Sequence, residues 1–176
     1  MNRMHIEKTP KEIARSLPDT HVNKLFLEES QMLSTAHRLL DGELYHEISP
    51  KGKRVKRWRL EGAFEDNLYK AVHYNHPATK WARFSAQTYL WAFELAKELS
   101  REYSYRYGKV HGCAKLLPFL SCLPKNIKDS GWEEPPQCVY DECKSDNVID
   151  AYRKYFKIRR NEIRMRWTNR EIPAWL

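Results

Sequence analysis

The sequence predicts a mainly α fold: a compact single-domain helical bundle with a long central helix and a basic surface loop. Three observations carry this. Apolar residues recur at helical spacing in three long segments, no long apolar–polar alternation appears, and proline and glycine fall between those segments. The 176 residues suit one domain over 1–176, and 12% aromatic content supplies a packed core.

Thr9-Pro10-Lys11-Glu12 has the form of a capping box with proline at the first helical position, so a short helix should run to about Ser16. Pro18 interrupts it, and Asp19 or Thr20 can cap a second helix over 20–40. Val22, Leu25, Phe26, Leu33, Ala36 and Leu40 mark its inner face, and Gly42 should end it in the left-handed conformation. Residues 43–74 read as a long surface connection with room for a short hairpin. Its run Lys51-Gly52-Lys53-Arg54-Val55-Lys56-Arg57-Trp58-Arg59 holds six basic residues in nine. The longest helix is expected over 77–107, ended by Gly108, and is apolar on several sides, as a central helix must be. A short helix should follow at 110–120. After a proline-rich loop, Asn147 can start a last helix through 166, with Tyr152, Phe156 and Ile163 inward and a basic outer face.

Lys plus Arg number 31 against 23 Asp plus Glu, a net charge of +8 that favours a polyanionic partner. No run approaches the roughly 18 apolar residues of a membrane span, and Met1–Glu7 lacks the apolar stretch of a secretory signal. The expectation is therefore a cytoplasmic chain (host cytoplasm, for a viral one) with no membrane partner and free thiols at Cys113, Cys122, Cys138 and Cys143. His111, Cys113, Cys138 and Cys143 match zinc spacings poorly, so small buried thiols are expected there, with no metal or other cofactor. Walker, dinucleotide, H-E-x-x-H and G-x-S-x-G motifs are absent, which disfavours those chemistries. The sequence leaves the oligomeric state open.

The candidate chemistry lies on the second helix. Lys24 and Glu28 stand one turn apart, with His21 a turn earlier. A carboxylate at the margin of an apolar stripe is partly desolvated and suited to proton transfer, and a nearby amine can form a Schiff base. The plainer reading is a surface ion pair worth a few tenths of a kcal/mol. Glu29 falls within the apolar stripe and needs a cation, expected from His76 or Arg83. Asn75-His76-Pro77, with Arg83, could hold a phosphate at a helix start. Lys53, Arg54, Lys56, Arg57 and Arg59 in the loop, and Lys154, Lys157 and Arg160 in the last helix, are candidate nucleic-acid contacts. The aromatics among them could stack on bases. The alternative for both runs is a solvated charged face.

The run Asp19-Thr20-His21-Val22-Asn23-Lys24-Leu25-Phe26-Leu27-Glu28 resembles the first helix of the phage pyrimidine-dimer DNA glycosylases, the endonuclease V family. Asn75-His76-Pro77 with Arg83-Phe84 resembles a segment of bacterial members. Ala151-Tyr152-Arg153-Lys154-Tyr155-Phe156 is similar to that family's aromatic tail. Tyr105-Arg106-Tyr107-Gly108-Lys109-Val110-His111 extends the likeness to a set of phage proteins for which it implies no activity.

The endonuclease V resemblance covers about half the chain. It implies a compact helical domain that cleaves the glycosidic bond of a damaged or modified pyrimidine through an amine and then nicks the abasic site, with Glu28 as acid/base and His21 in support. The family's amine belongs to a small residue exposed by methionine removal. Here Met1-Asn2 is a poor substrate for such trimming, so Met1 itself or Lys24 would supply the amine. The expected function is a DNA-binding protein of phage type, a glycosylase with abasic lyase activity on double-stranded DNA. The alternative is a non-catalytic binder of nucleic acid or of a nucleotide, such as a phage decoy that sequesters a signalling nucleotide.

Overall fold

The computed structural model describes residues 2–176. The expected capping box is formed: Thr9 and Glu12 satisfy each other's backbone N–H groups, and helix α1 runs Pro10–Ser16. Helix α2, Asp19–Asp41, is the spine. Val22, Leu25, Phe26, Leu33 and Ala36 are buried along it as the spacing requires. It packs against α5 (Ala86–Tyr107) and against the short α4 (Pro77–Ala82).

Between α2 and α4 the class expectation is corrected. Strands β1, Glu43–Ile48, and β2, Arg54–Arg59, form a two-stranded antiparallel sheet, so the fold is mixed α and β, still dominated by helix. Leu44 faces Trp58, His46 faces Lys56 and Ile48 faces Arg54. The hairpin hid from pattern reading because neither of its faces is a clean apolar one, so alternation shows weakly. Its turn is closed by bonds between Ser49 and Lys53, with Gly52 at φ 72°. A short helix α3, Gly62–Asn67, follows.

Three further expectations are corrected. The single helix over 77–107 is two, α4 and α5, because Ser85 and Thr88 form a second capping box and Ser85 Oγ donates to Gly131 O. The last helix, α7, spans Val148–Ile158 and does not reach 166. The chain beyond it folds back onto the first helices instead: Trp167 Nε1 donates to Ser16 O at 2.9 Å, and Asp19 N–H donates to Arg166 O at 2.8 Å. Gly42 has φ −89° and is extended, not left-handed. A side chain there would place Cβ 2.4 Å from Arg38 O and 3.1 Å from Arg59 O. The glycine is needed for close approach, whereas Gly108 does take the left-handed position at the end of α5. The segment over 110–120 is a 3₁₀ turn followed by α6, Leu117–Leu120.

Arg106 ties these pieces together. It is 4% exposed and donates to Leu17 O and Arg15 O at 2.8 Å, satisfying carbonyls that the end of α1 leaves open. It also pairs with Asp19 at 2.9 Å and with Glu102 at 2.7 Å, and Arg170 grips Glu102 from the other side. Burial pushes the Asp19 and Glu102 carboxyls up, but the bonds from Thr168, Arg106 and Arg170 outweigh it and hold both below their usual range. No helix is long and apolar enough to cross a membrane among the described residues.

Two outcomes are expected. Gly42→Ala should lower stability by about 1–3 kcal/mol, read from urea unfolding, because the backbone must move to admit the methyl. Asp19 and Glu102 are harder to protonate folded than unfolded. Their stabilisation is therefore complete above the ordinary values of 3.8 and 4.5 and is lost as pH falls below them. Urea midpoints should drop steeply between pH 5 and pH 3 (roughly, from those ordinary values); a flat profile would deny the network this role.

Candidate functional site

Glu29 is fully buried on α2, and its partner is Arg3, not the expected His76 or Arg83. Arg3 Nε and Nη2 donate to the two Glu29 oxygens at 2.7 and 2.6 Å, a bidentate pair. The Arg3 guanidinium lies 4.5 Å from the centroid of the Trp81 ring, and its Nη1 is buried with no hydrogen-bond partner. His5 follows, stacked on Trp91 at 4.2 Å, its pKa pushed down to about 3 by burial and by Arg3. The first residues are thus strapped across α2.

That strap brings Asn2 to Glu28. The Asn2 main-chain N–H donates to Glu28 Oε2 at 3.0 Å, and Lys24 Nζ stands 3.8 Å from Glu28 Oε1. The Asn2 side chain is fixed at both ends. Its Nδ2 donates to Cys138 O at 2.8 Å, and its Oδ1 accepts from Tyr152 Oη at 2.7 Å. Four separated segments therefore meet here: the N-terminal strap, α2, the loop at 136–138 and α7. The Glu28 side chain is 12% exposed, and the Lys24 side chain at 60% opens onto the surface beside it.

His76 is also close enough for the Glu28 charge to act on it. Burial lowers its pKa, and the Glu28 charge works the other way without reversing the shift. Its Nδ1 accepts from Ala78 N–H, capping α4. His21 is buried 5.0 Å from the Phe156 ring, its pKa driven to about 4 by burial, then by Lys24 and Arg159. It is a neutral imidazole at neutral pH, one turn from Lys24. Arg83 is not placed for a phosphate: it donates to Thr79 O at 2.9 Å and Tyr74 O at 2.6 Å, holding the chain between the hairpin and α4.

The basic residues fall into two groups. Lys53, Arg54, Lys56, Arg57 and Arg59 lie on the hairpin, with Arg57 paired to Glu47 at 2.6 Å and Arg59 stacked over Tyr45 at 4.9 Å. Lys154 and Lys157 are exposed on α7, and Arg160 is exposed just after it. A cavity of about 580 Å³ lies between β2 and residues 71–74, lined by Arg54, Lys56, Arg57 and Tyr74 among others. It does not include Glu28, but the segment bordering it leads within two residues from Tyr74 to His76. His111, Cys113, Cys138 and Cys143 make no metal group; among the described residues no cluster of three or more such ligands occurs.

Asn2, Arg3 and His5 are absent from the sequence-derived candidates, and Cys138, weighed there only as a thiol, contributes its main-chain oxygen. A buried carboxylate at Glu29 required a cation, but nothing local pointed 26 residues back to Arg3. Breaking this pair should cost about 3–5 kcal/mol, since it strands a buried charge. Arg3→Met alone should unfold at much lower urea than the double substitution Arg3→Met with Glu29→Leu, which should regain most of the loss. Equal midpoints for the two would show that the pair is not the source.

No family model, curated protein or solved structure matches the chain, so its functional reading rests on the geometry around Glu28.

Proposed function

We propose that this protein acts on double-stranded DNA as a base-excision glycosylase with abasic lyase activity, Glu28 being its acid/base group. One observation carries the reading: the start of the chain is strapped against a nearly buried carboxylate, with the Asn2 nitrogen 3.0 Å from Glu28 Oε2 and an amine, Lys24, 3.8 Å from the other oxygen. An amine within ion-pair distance of a carboxylate supplies the two groups that Schiff-base chemistry at a sugar carbon needs.

The neutral amine attacks C1′ as the bond to the base breaks, and the base leaves as an anion that takes a proton from solvent water. Glu28 takes the proton released by the amine and returns it to the sugar ring oxygen as the ring opens to an imine. Glu28, again a carboxylate, then accepts a C2′ proton as the C3′–O bond breaks and the 3′ phosphate leaves, which nicks the strand, and hydrolysis of the imine by water releases the amine. Two amines are available. Where the chain starts at Met1, its α-amine is one residue from the Asn2 nitrogen. Lys24 is the other. The target nucleotide must leave the stack for its C1′ to reach a carboxylate this deeply set. The exposed Lys154 and Lys157, and the hairpin cations, supply phosphate contacts.

Borohydride should trap a covalent adduct on duplexes carrying a pyrimidine dimer, a modified pyrimidine or an abasic site. Peptide mapping assigns it to the terminal residue or to Lys24. Glu28→Gln should lower the trapping rate by about 10²-fold or more, the usual scale for a lost acid/base group. Absence of an adduct on every substrate, with Glu28→Gln binding DNA as the unaltered chain does, would remove the catalytic claim. It would leave a binder of nucleic acid or nucleotide.

A further inference from the structure

The hairpin has two unlike faces. On one, Tyr45, Glu47, Val55 and Arg57 are half-buried, and the charges are matched: Glu47 is held by Arg57 at 2.6 Å and by Lys70 at 3.6 Å. On the other, Leu44 is 49% and Ile48 68% exposed, in register with Trp58 and Arg54, and His46 and Lys56 lie between them. Both carboxylates of the hairpin, Glu43 and Glu47, fall outside this second face. Among the described residues, Arg54 and Lys56 on that face, and Lys51 and Lys53 in the turn, form no ion pair.

A ribbon of two six-residue strands is about 20 Å long, with strands about 4.8 Å apart. The major groove of B-DNA, about 12 Å wide, admits such a ribbon. Side chains on one face recur every ~6.8 Å, close to the rise of two base pairs. Apolar side chains that alternate with unpaired cations match base edges and methyl groups flanked by phosphates.

We propose that the β1–β2 hairpin is a groove-reading ribbon, which lays its Leu44–His46–Ile48 and Arg54–Lys56 face into the major groove of duplex DNA. Ile48 and Leu44 contact the base edges, and Arg54, Lys56 and the turn lysines contact the flanking phosphates. This rests on the proposal that the chain works on DNA, but not on its catalytic step.

The test uses the full chain and an undamaged 20-base-pair duplex (about two helical turns), with binding followed by fluorescence anisotropy across salt concentrations. Arg54→Ala with Lys56→Ala should reduce the slope of log affinity against log salt by about 2. Leu44→Ser with Ile48→Ser should weaken binding by about tenfold and leave that slope unchanged. Circular dichroism should show the fold intact, as these side chains are exposed. Methylation protection at guanine N7 is expected. Protection confined to adenine N3, an unchanged salt slope, or tighter binding to RNA or to anionic phospholipid vesicles than to the duplex would each overturn the assignment. The duplex carries no lesion, so loss of borohydride trapping with the ribbon effects intact strikes only the catalytic reading. The reverse result strikes only the ribbon.

Discussion

The pairing of Arg3 with Glu29 is the interaction on which the candidate site depends. A carboxylate with no exposed surface cannot stay charged without a cation, and this one accepts from two of the Arg3 guanidinium nitrogens, Nε and Nη2, at 2.7 and 2.6 Å. Burial outweighs the pull of Arg3 and leaves the Glu29 carboxyl above its usual range, with the neighbouring Glu28 adding to the rise, so the charged form depends on the cation. Consecutive residues on a helix point about 100° apart. Glu29 therefore turns into the core while Glu28 beside it reaches the margin. Anchoring Arg3 on the first leaves Asn2 only the second to meet.

Arginine elsewhere in the chain does similar work, which changes the meaning of the net charge. Arg38 donates to the carbonyls of Trp58, Leu68 and Tyr69 and pairs with Glu65, locking the base of the hairpin to α2. Arg83 and Arg106 likewise satisfy main-chain oxygens that irregular segments and helix ends leave open. Five planar donors make arginine suited to that task. The cations left for a partner are fewer than the composition suggests. Some lie on the outward face and turn of the hairpin and along α7, and others, such as Lys11, Lys80, Lys109 and Lys125, are spread over the rest of the surface.

These two surfaces and Glu28 are related through α2. Glu28 lies about 20 Å along the helix axis from the residue where β1 begins, at 1.5 Å per residue. Residues 71–76 run from the groove beside β2 to His76, whose titration feels Glu28.

Much of the helical scaffold was readable from the sequence because its signals are local. The first capping box, the buried stripe of α2 and the glycine stop after Tyr107 each depend on residues within one or two turns. The serine–threonine box that splits the long helix was just as local, but it was masked by the apolar run around it. The hairpin was foreseen only as an option, since two partly wet faces give no clean period. Sequence by itself determined the helices, the excess of positive charge, and the need of Glu29 for a cation. Only the tertiary structure decided that the cation is Arg3, that Asn2 thereby meets Glu28, and which hairpin face keeps its cations unpaired. Helical periodicity is set by neighbours three and four residues away, whereas these contacts join residues 26 to 150 apart, whose meeting depends on how every element between them packs.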